Sequence, residues 1–79
     1  MDKPNLGQPI YYTIHIQEQI LSHWSMWFEG LTIANLEDGS SILSGPVADQ
    51  SALHGLLAKV RDLNLTLISV TQIESPKNM

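Results

Sequence analysis

Three histidines, one carboxylate out of register and a knot of aromatic residues are the places where this sequence could do chemistry. His15, His23 and His54 lie eight and thirty-one residues apart along the chain. Zinc sites draw on close ligand pairs such as His-x₃-His, so this spacing argues against a metal centre. His15 is expected on the open face of a sheet. His54 flanks an apolar helix stripe, placed to hydrogen-bond across an interface or to a backbone carbonyl. Glu18 falls on the apolar side of an alternating run. Either a bulge or strand end turns it to solvent, or it is a partly buried carboxylate in a pocket. Pairing Glu18 with His15 or His54 is the nearest approach to acid–base machinery, and the sequence does not bring these residues together.

Trp24, Trp27 and Phe28 share one side of a short turn at i, i+3, i+4 spacing. Such a cluster either plugs one end of the core or offers a binding platform, because exposed aromatics are enriched at interfaces and pockets. Phe28 or Trp27 is expected inside, with Trp24 partly outside. Serines are plentiful, but none sits in a nucleophile-elbow pattern. Gly45-Pro46 is too meagre for a phosphate loop. Nothing implies a cofactor, and enzyme chemistry finds weak support.

The elements that must position these residues are organised around Asp49 to Leu63. Leu53, Leu56, Leu57, Val60 and Leu63 follow helical spacing along one side. Asp49 suits an N-cap. Asn64 suits a left-handed C-terminal residue, with Val60 and Leu65 positioned for the accompanying apolar contact. The helix should run about 22 Å, enough to cross a small sheet. Gly55 sits in its middle, where glycine costs about 1 kcal/mol relative to alanine. Its missing side chain either lets another element approach closely or admits a ligand or partner helix. Close packing is the reading taken here. Lys59, Arg61 and Asp62 form the solvated side, and the two cations suit the negative C-terminal end.

From Ile10 the chain alternates, with Ile10, Tyr12, Ile14, Ile16 and Ile20 on one side. Tyr11, Thr13, His15, Gln17 and Gln19 fall on the other, which reads as a strand with one much wetter face. Ser22 is a candidate cap for the aromatic turn. Leu31 to Leu36 and Ser41 to Ser44 read as strands joined by Glu37-Asp38-Gly39-Ser40, where Asp-Gly is a strong hairpin signal. Gly45-Pro46 should stop the third strand, because proline lacks an amide for the ladder. Leu65 to Ile73 is the final strand. Residues 1–9 read as a loose tail, 10–74 as a single domain and 75–79 as a polar tail.

The expected architecture is α+β: a four-stranded, mostly antiparallel sheet with one main helix on one face, in the order β-β-β-α-β. Leu21 to Gly30 is short for a crossover, which favours a three-strand meander. The last strand should then run parallel to the third and lie beside the first. If the aromatic turn is helical, the alternative is a trimmed ferredoxin-like βαββαβ fold.

Composition bounds the function classes. The chain has 79 residues, 43% of them hydrophobic and 15% charged, with no cysteine. Disulfides, thiolate metal sites and cysteine nucleophiles are therefore excluded. Four basic residues against eight acidic ones give a net charge of −4. Lys59 with Arg61 is the only local basic group, so a nucleic-acid partner is not expected. The N-terminal residues lack the apolar region of a signal peptide. No run reaches the ~20 apolar residues of a membrane span. The expected location is the cytoplasm.

Three segments carry a resemblance: Trp24-Ser25-Met26-Trp27-Phe28-Glu29-Gly30-Leu31, Leu43-Ser44-Gly45-Pro46-Val47-Ala48-Asp49-Gln50, and Ala52-Leu53-His54-Gly55-Leu56-Leu57 through Arg61-Asp62-Leu63. With their Trp-Ser-x-Trp-Phe and Asp-Gln-x-Ala-Leu-His-Gly-Leu-Leu motifs, they resemble a widespread family of small bacterial single-domain proteins with no assigned activity. The resemblance covers roughly residues 11 to 70. It implies no catalytic residues. Family members often carry glycine where this chain has Asn64, and both residues suit a left-handed cap.

These residues lead to an interaction or binding module that works as a homodimer, hiding a semi-polar sheet face and an unpaired strand edge. The alternative is a small-molecule site, or a minor enzyme, with a pocket between the sheet and the Trp24–Phe28 turn. Trp24, Trp27, His54, His15 and Glu18 are the candidate ligand or interface residues under either reading.

Overall fold

A computed structural model describes residues 10–73, so the expected tails at 1–9 and 75–79, and residue 74, lie outside the described residues. The order is β1 (Ile10–Ile16), a 3₁₀ turn (Ser22–Met26), β2 (Thr32–Asn35), β3 (Ser41–Val47), α1 (Gln50–Asp62) and β4 (Leu67–Ile73). The architecture is α+β, with all four strands antiparallel to their neighbours.

The sheet order is β2-β3-β1-β4. This corrects the meander: β1 pairs with β3 and β4, not with β2. It is the strand order of the trimmed ferredoxin-like alternative, with the first helix reduced to the 3₁₀ turn. The physical reason is where β1 stops. It ends at Ile16, so the connection to β2 runs from Gln17 to Leu31 rather than from Leu21. Stepping over one strand needs only about 10 Å across the sheet. A five-residue 3₁₀ turn rising about 2 Å per residue covers that distance. The expectation for β4 stands: it lies beside β1 and runs parallel to β3.

Helix α1 forms as its spacing predicts. The Asp49 carboxylate accepts from the Ala52 N–H at 2.8 Å. At the other end Asn64 is left-handed (φ +61°). There the Leu65 N–H donates to the Val60 carbonyl at 3.1 Å and the Asn64 N–H to that of Arg61 at 2.8 Å. These two hydrogen bonds satisfy carbonyls the helix leaves free. Leu53, Leu56 and Val60 are buried with Ile14, Ile16, Ile20, Phe28, Leu31, Leu43 and Val47, while Leu57 and Leu63 pack at the margin. The helix packs against β3 and the 3₁₀ turn against β2.

Strand β3 continues through Gly45 and Pro46 to Val47, beyond the expected stop at Ser44. Its pairing with β2 ends at Thr32↔Ser44, whereas β1 pairs with it out to Ile10↔Val47. Past Ser44 it is therefore an edge on one side, where a missing amide is tolerated. Gly45 is required here: its φ is +151°, and an added Cβ would lie 2.7 Å from a Leu31 methyl.

Candidate functional site

The side of the sheet away from α1 carries Tyr11, Thr13 and His15 from β1. In register with them stand Ile42, Ser44 and Pro46 of β3, Thr32 and Ala34 of β2, and Ser69, Thr71 and Ile73 of β4. None of these strand positions is a lysine, arginine, aspartate or glutamate; Asp38 of the hairpin turn approaches the His15 end through Ser40. The charged residues of the described chain lie instead in the turns, the loops and α1: Glu18, Glu29, Glu37, Asp38, Asp49, Lys59, Arg61 and Asp62.

Strand β4 closes one edge and is the most open element of the sheet. Only Val70 is half-buried, while Leu67, Ile68 and Ile73 are 43%, 50% and 39% exposed. A register shift between His15 and Ile16 marks its pairing with β1.

The candidate residues scatter rather than converge. Glu18 lies past the end of β1, as the strand-end reading has it. Its carboxylate accepts from the Thr66 N–H and the Thr66 hydroxyl, both at 2.7 Å. The backbone bond, then the hydroxyl, holds Glu18 below its ordinary range and therefore ionised. Such a group is a latch rather than a proton donor at neutral pH. His54 is exposed on α1, and no hydrogen bond from its side chain occurs among the described residues.

His15 reaches Ser40 instead of Glu18. Its Nε2 lies 3.0 Å from Ser40 Oγ. The hydroxyl donates to Asp38 Oδ1 at 2.6 Å, and the same oxygen accepts from the Ser40 N–H at 2.9 Å. Ser40 is 4% exposed. With its proton directed to Asp38 and its oxygen covered, the serine is placed as a strut between the hairpin turn and β1, not as a nucleophile. The two Ser40 bonds, hydroxyl first, hold Asp38 below its ordinary range. Asp-Gly signalled the turn in the sequence; nothing local signalled the partner twenty-five residues away.

The aromatic turn divides by depth. Phe28 is fully buried, Trp24 packs against the core, and Trp27 is 40% exposed. The indoles meet edge to face at 6.3 Å, and Lys59 Nζ stands 5.3 Å from the Trp27 ring centroid while pairing with Glu29. Ser22 does not cap the turn; Leu21 occupies that position, and its carbonyl accepts from the Trp24 N–H at 3.0 Å. A cleft of about 280 Å³ lies between Trp24 and the end of α1, lined by Gln19, Ile20, Leu21, Leu63 and Leu65. None of these side chains ionises.

The packing explanation for Gly55 is overturned. An added Cβ there meets nothing within 4 Å. The residue instead opens onto a groove of about 400 Å³ between α1 and the Pro46–Ala48 segment, with Glu29 and Lys59 at its rim. No cluster of three or more His, Asp or Glu side chains able to hold a metal ion occurs among the described residues. None of their helices is long and apolar enough to cross a membrane.

No curated protein and no solved structure matches the chain. The sequence pattern of a domain of unknown function, DUF8691, matches residues 11–71, from the first tyrosine of β1 to Thr71 of β4, and the chain belongs to that family.

Proposed function

We propose that this domain is a small cytoplasmic protein–protein interaction module that acts as a homodimer. One observation carries the reading: among the described residues, the strand positions of the open sheet face and of the β4 edge hold no formally charged side chain, in a chain of net charge −4. Solvated surfaces normally carry about a quarter to a third charged residues. An edge strand with exposed Leu67, Ile68 and Ile73 gains by covering those side chains and by pairing the edge amides and carbonyls that no other described strand pairs. A second copy presents the same surface and closes the assembly by two-fold symmetry. Trp24, Trp27, His54, His15 and Glu18 are then support or rim rather than the centre of contact.

Size-exclusion chromatography with light scattering tests this. The expected mass at tens of micromolar is twice the 8.8 kDa of the chain. A single species of chain mass at that concentration ends the proposal. The alternative, a small-molecule site beside Trp24, rests on the cleft there. It predicts a change in tryptophan fluorescence with an apolar ligand, removed by Leu65→Trp, which fills the cleft.

A further inference from the structure

Resting on the homodimer reading, we infer that the contact is made edge to edge, with β4 of one copy pairing antiparallel to β4 of the other about a two-fold axis at Val70. The two edges of the sheet differ in how they are protected. Strand β2 has four residues and runs into the acidic turn Glu37-Asp38. Strand β4 has seven residues, Leu67–Ile73, with no charge, no proline and no glycine among them. Short length, charge and proline keep strand edges apart, and β4 has none of them. Its one irregularity, the register shift opposite His15 and Ile16, lies at the Leu67 end and leaves residues 69–73 regular.

Exposure separates edge pairing from face-to-face stacking. Ile73 lies on the open side with Tyr11, its partner in β1, whereas Leu67, opposite the buried Ile16, lies on the side of Val70, which stands opposite the buried Ile14. Both are well exposed. Stacking two open faces shelters the first and leaves the second in water. A neighbouring strand shelters both.

Symmetry then fixes the register. A two-fold axis normal to the sheet keeps every side chain on its own face, so each residue must oppose one of the same parity. Centring the axis on Val70 uses the regular part of the strand, beyond the register shift at its Leu67 end. It sets Ser69 against Thr71 and Val70 against its own copy. Hydroxyls meet, and no like charges face each other. The two four-stranded sheets join into one, and their open faces become continuous.

The chain has no cysteine, so single introduced thiols report the geometry cleanly. Directly opposed residues across antiparallel strands lie within disulfide reach. Under mild oxidation, Val70→Cys is expected to convert almost wholly to a covalent dimer, and Thr32→Cys, on the far edge, to stay monomeric under denaturing electrophoresis. A mixture of Ser69→Cys and Thr71→Cys chains, both at exposed positions that leave the core intact, is expected to cross-link faster than either alone. Circular dichroism checks that each variant is folded. A doubled mass in light scattering without these cross-links overturns edge pairing while leaving self-association standing. A folded monomer throughout overturns both.

Discussion

The Glu18 carboxylate and Thr66, forty-eight residues apart in sequence, are joined by two hydrogen bonds of 2.7 Å. The Gln17 N–H adds a third link to the Thr66 carbonyl at 2.9 Å. This clamp ends β1 and aims the chain into β4, so it sets the position of the strand assigned here to dimer contact.

Acid should weaken the clamp. Thr66 lowers the Glu18 pKa from its ordinary 4.5, and Ser40 lowers that of Asp38 from its ordinary 3.8. A carboxylate whose folded value is depressed contributes stability above its unfolded value and loses it as pH falls through the folded one. Wild-type stability should therefore fall below about pH 4.5. Glu18→Gln should lower stability at pH 7 and flatten that acid dependence. Urea unfolding midpoints at pH 7 and pH 3 read both effects; an unchanged slope in the variant refutes the assignment.

Ser41 is fully buried and serves three groups. Its Oγ accepts from the Ile20 N–H at 2.8 Å and lies 2.8 Å from both the Glu18 carbonyl and Asn35 Oδ1, between which its one proton must choose. Ser41→Ala leaves a buried N–H and carbonyl with fewer partners and should cost about 1–3 kcal/mol. Chemical denaturation measures it, with Ser44→Ala on the open face as a near-neutral comparison.

Two glycines should respond in opposite directions. Gly45→Ala drives a methyl to 2.7 Å from Leu31, itself buried, at a positive φ, and should lose about 1–3 kcal/mol by overpacking. Gly55→Ala meets nothing within 4 Å and should gain about 1 kcal/mol from helix propensity. Thermal melts of both variants decide the matter; a destabilised Gly55→Ala would restore the close-packing explanation.

Within the aromatic turn, depth rather than residue type should set the cost. Phe28→Ala empties a fully buried site and should lose about 3–5 kcal/mol. Trp27→Ala removes an exposed ring and its contact with Lys59, of which the cation–π part is worth about 0.5–1 kcal/mol. Equal losses in denaturant titrations would show that Trp27 also carries core packing.

The sequence alone determined the elements whose causes lie within a few residues. Leu53, Leu56 and Val60 repeat at helical spacing, Asp49 caps three residues ahead, and Asn64 closes the helix with bonds that reach back no further than Val60. Asp38 and Gly39 set the hairpin the same way, and the period-two run from Ile10 separated the faces of β1. What only the tertiary structure decided has its cause far along the chain. Ile16 is the end of β1 because Glu18 and Ser41 find partners in Thr66 and the Glu18–Ile20 segment. Pro46 remains in β3 because β2 is too short to reach it, and Gly55 faces a groove because no other element covers it. Periodicity and capping are local energies, written into neighbouring residues. Strand order and the partners of His15 and Glu18 depend on which distant segments meet, and a short window of sequence carries no record of that.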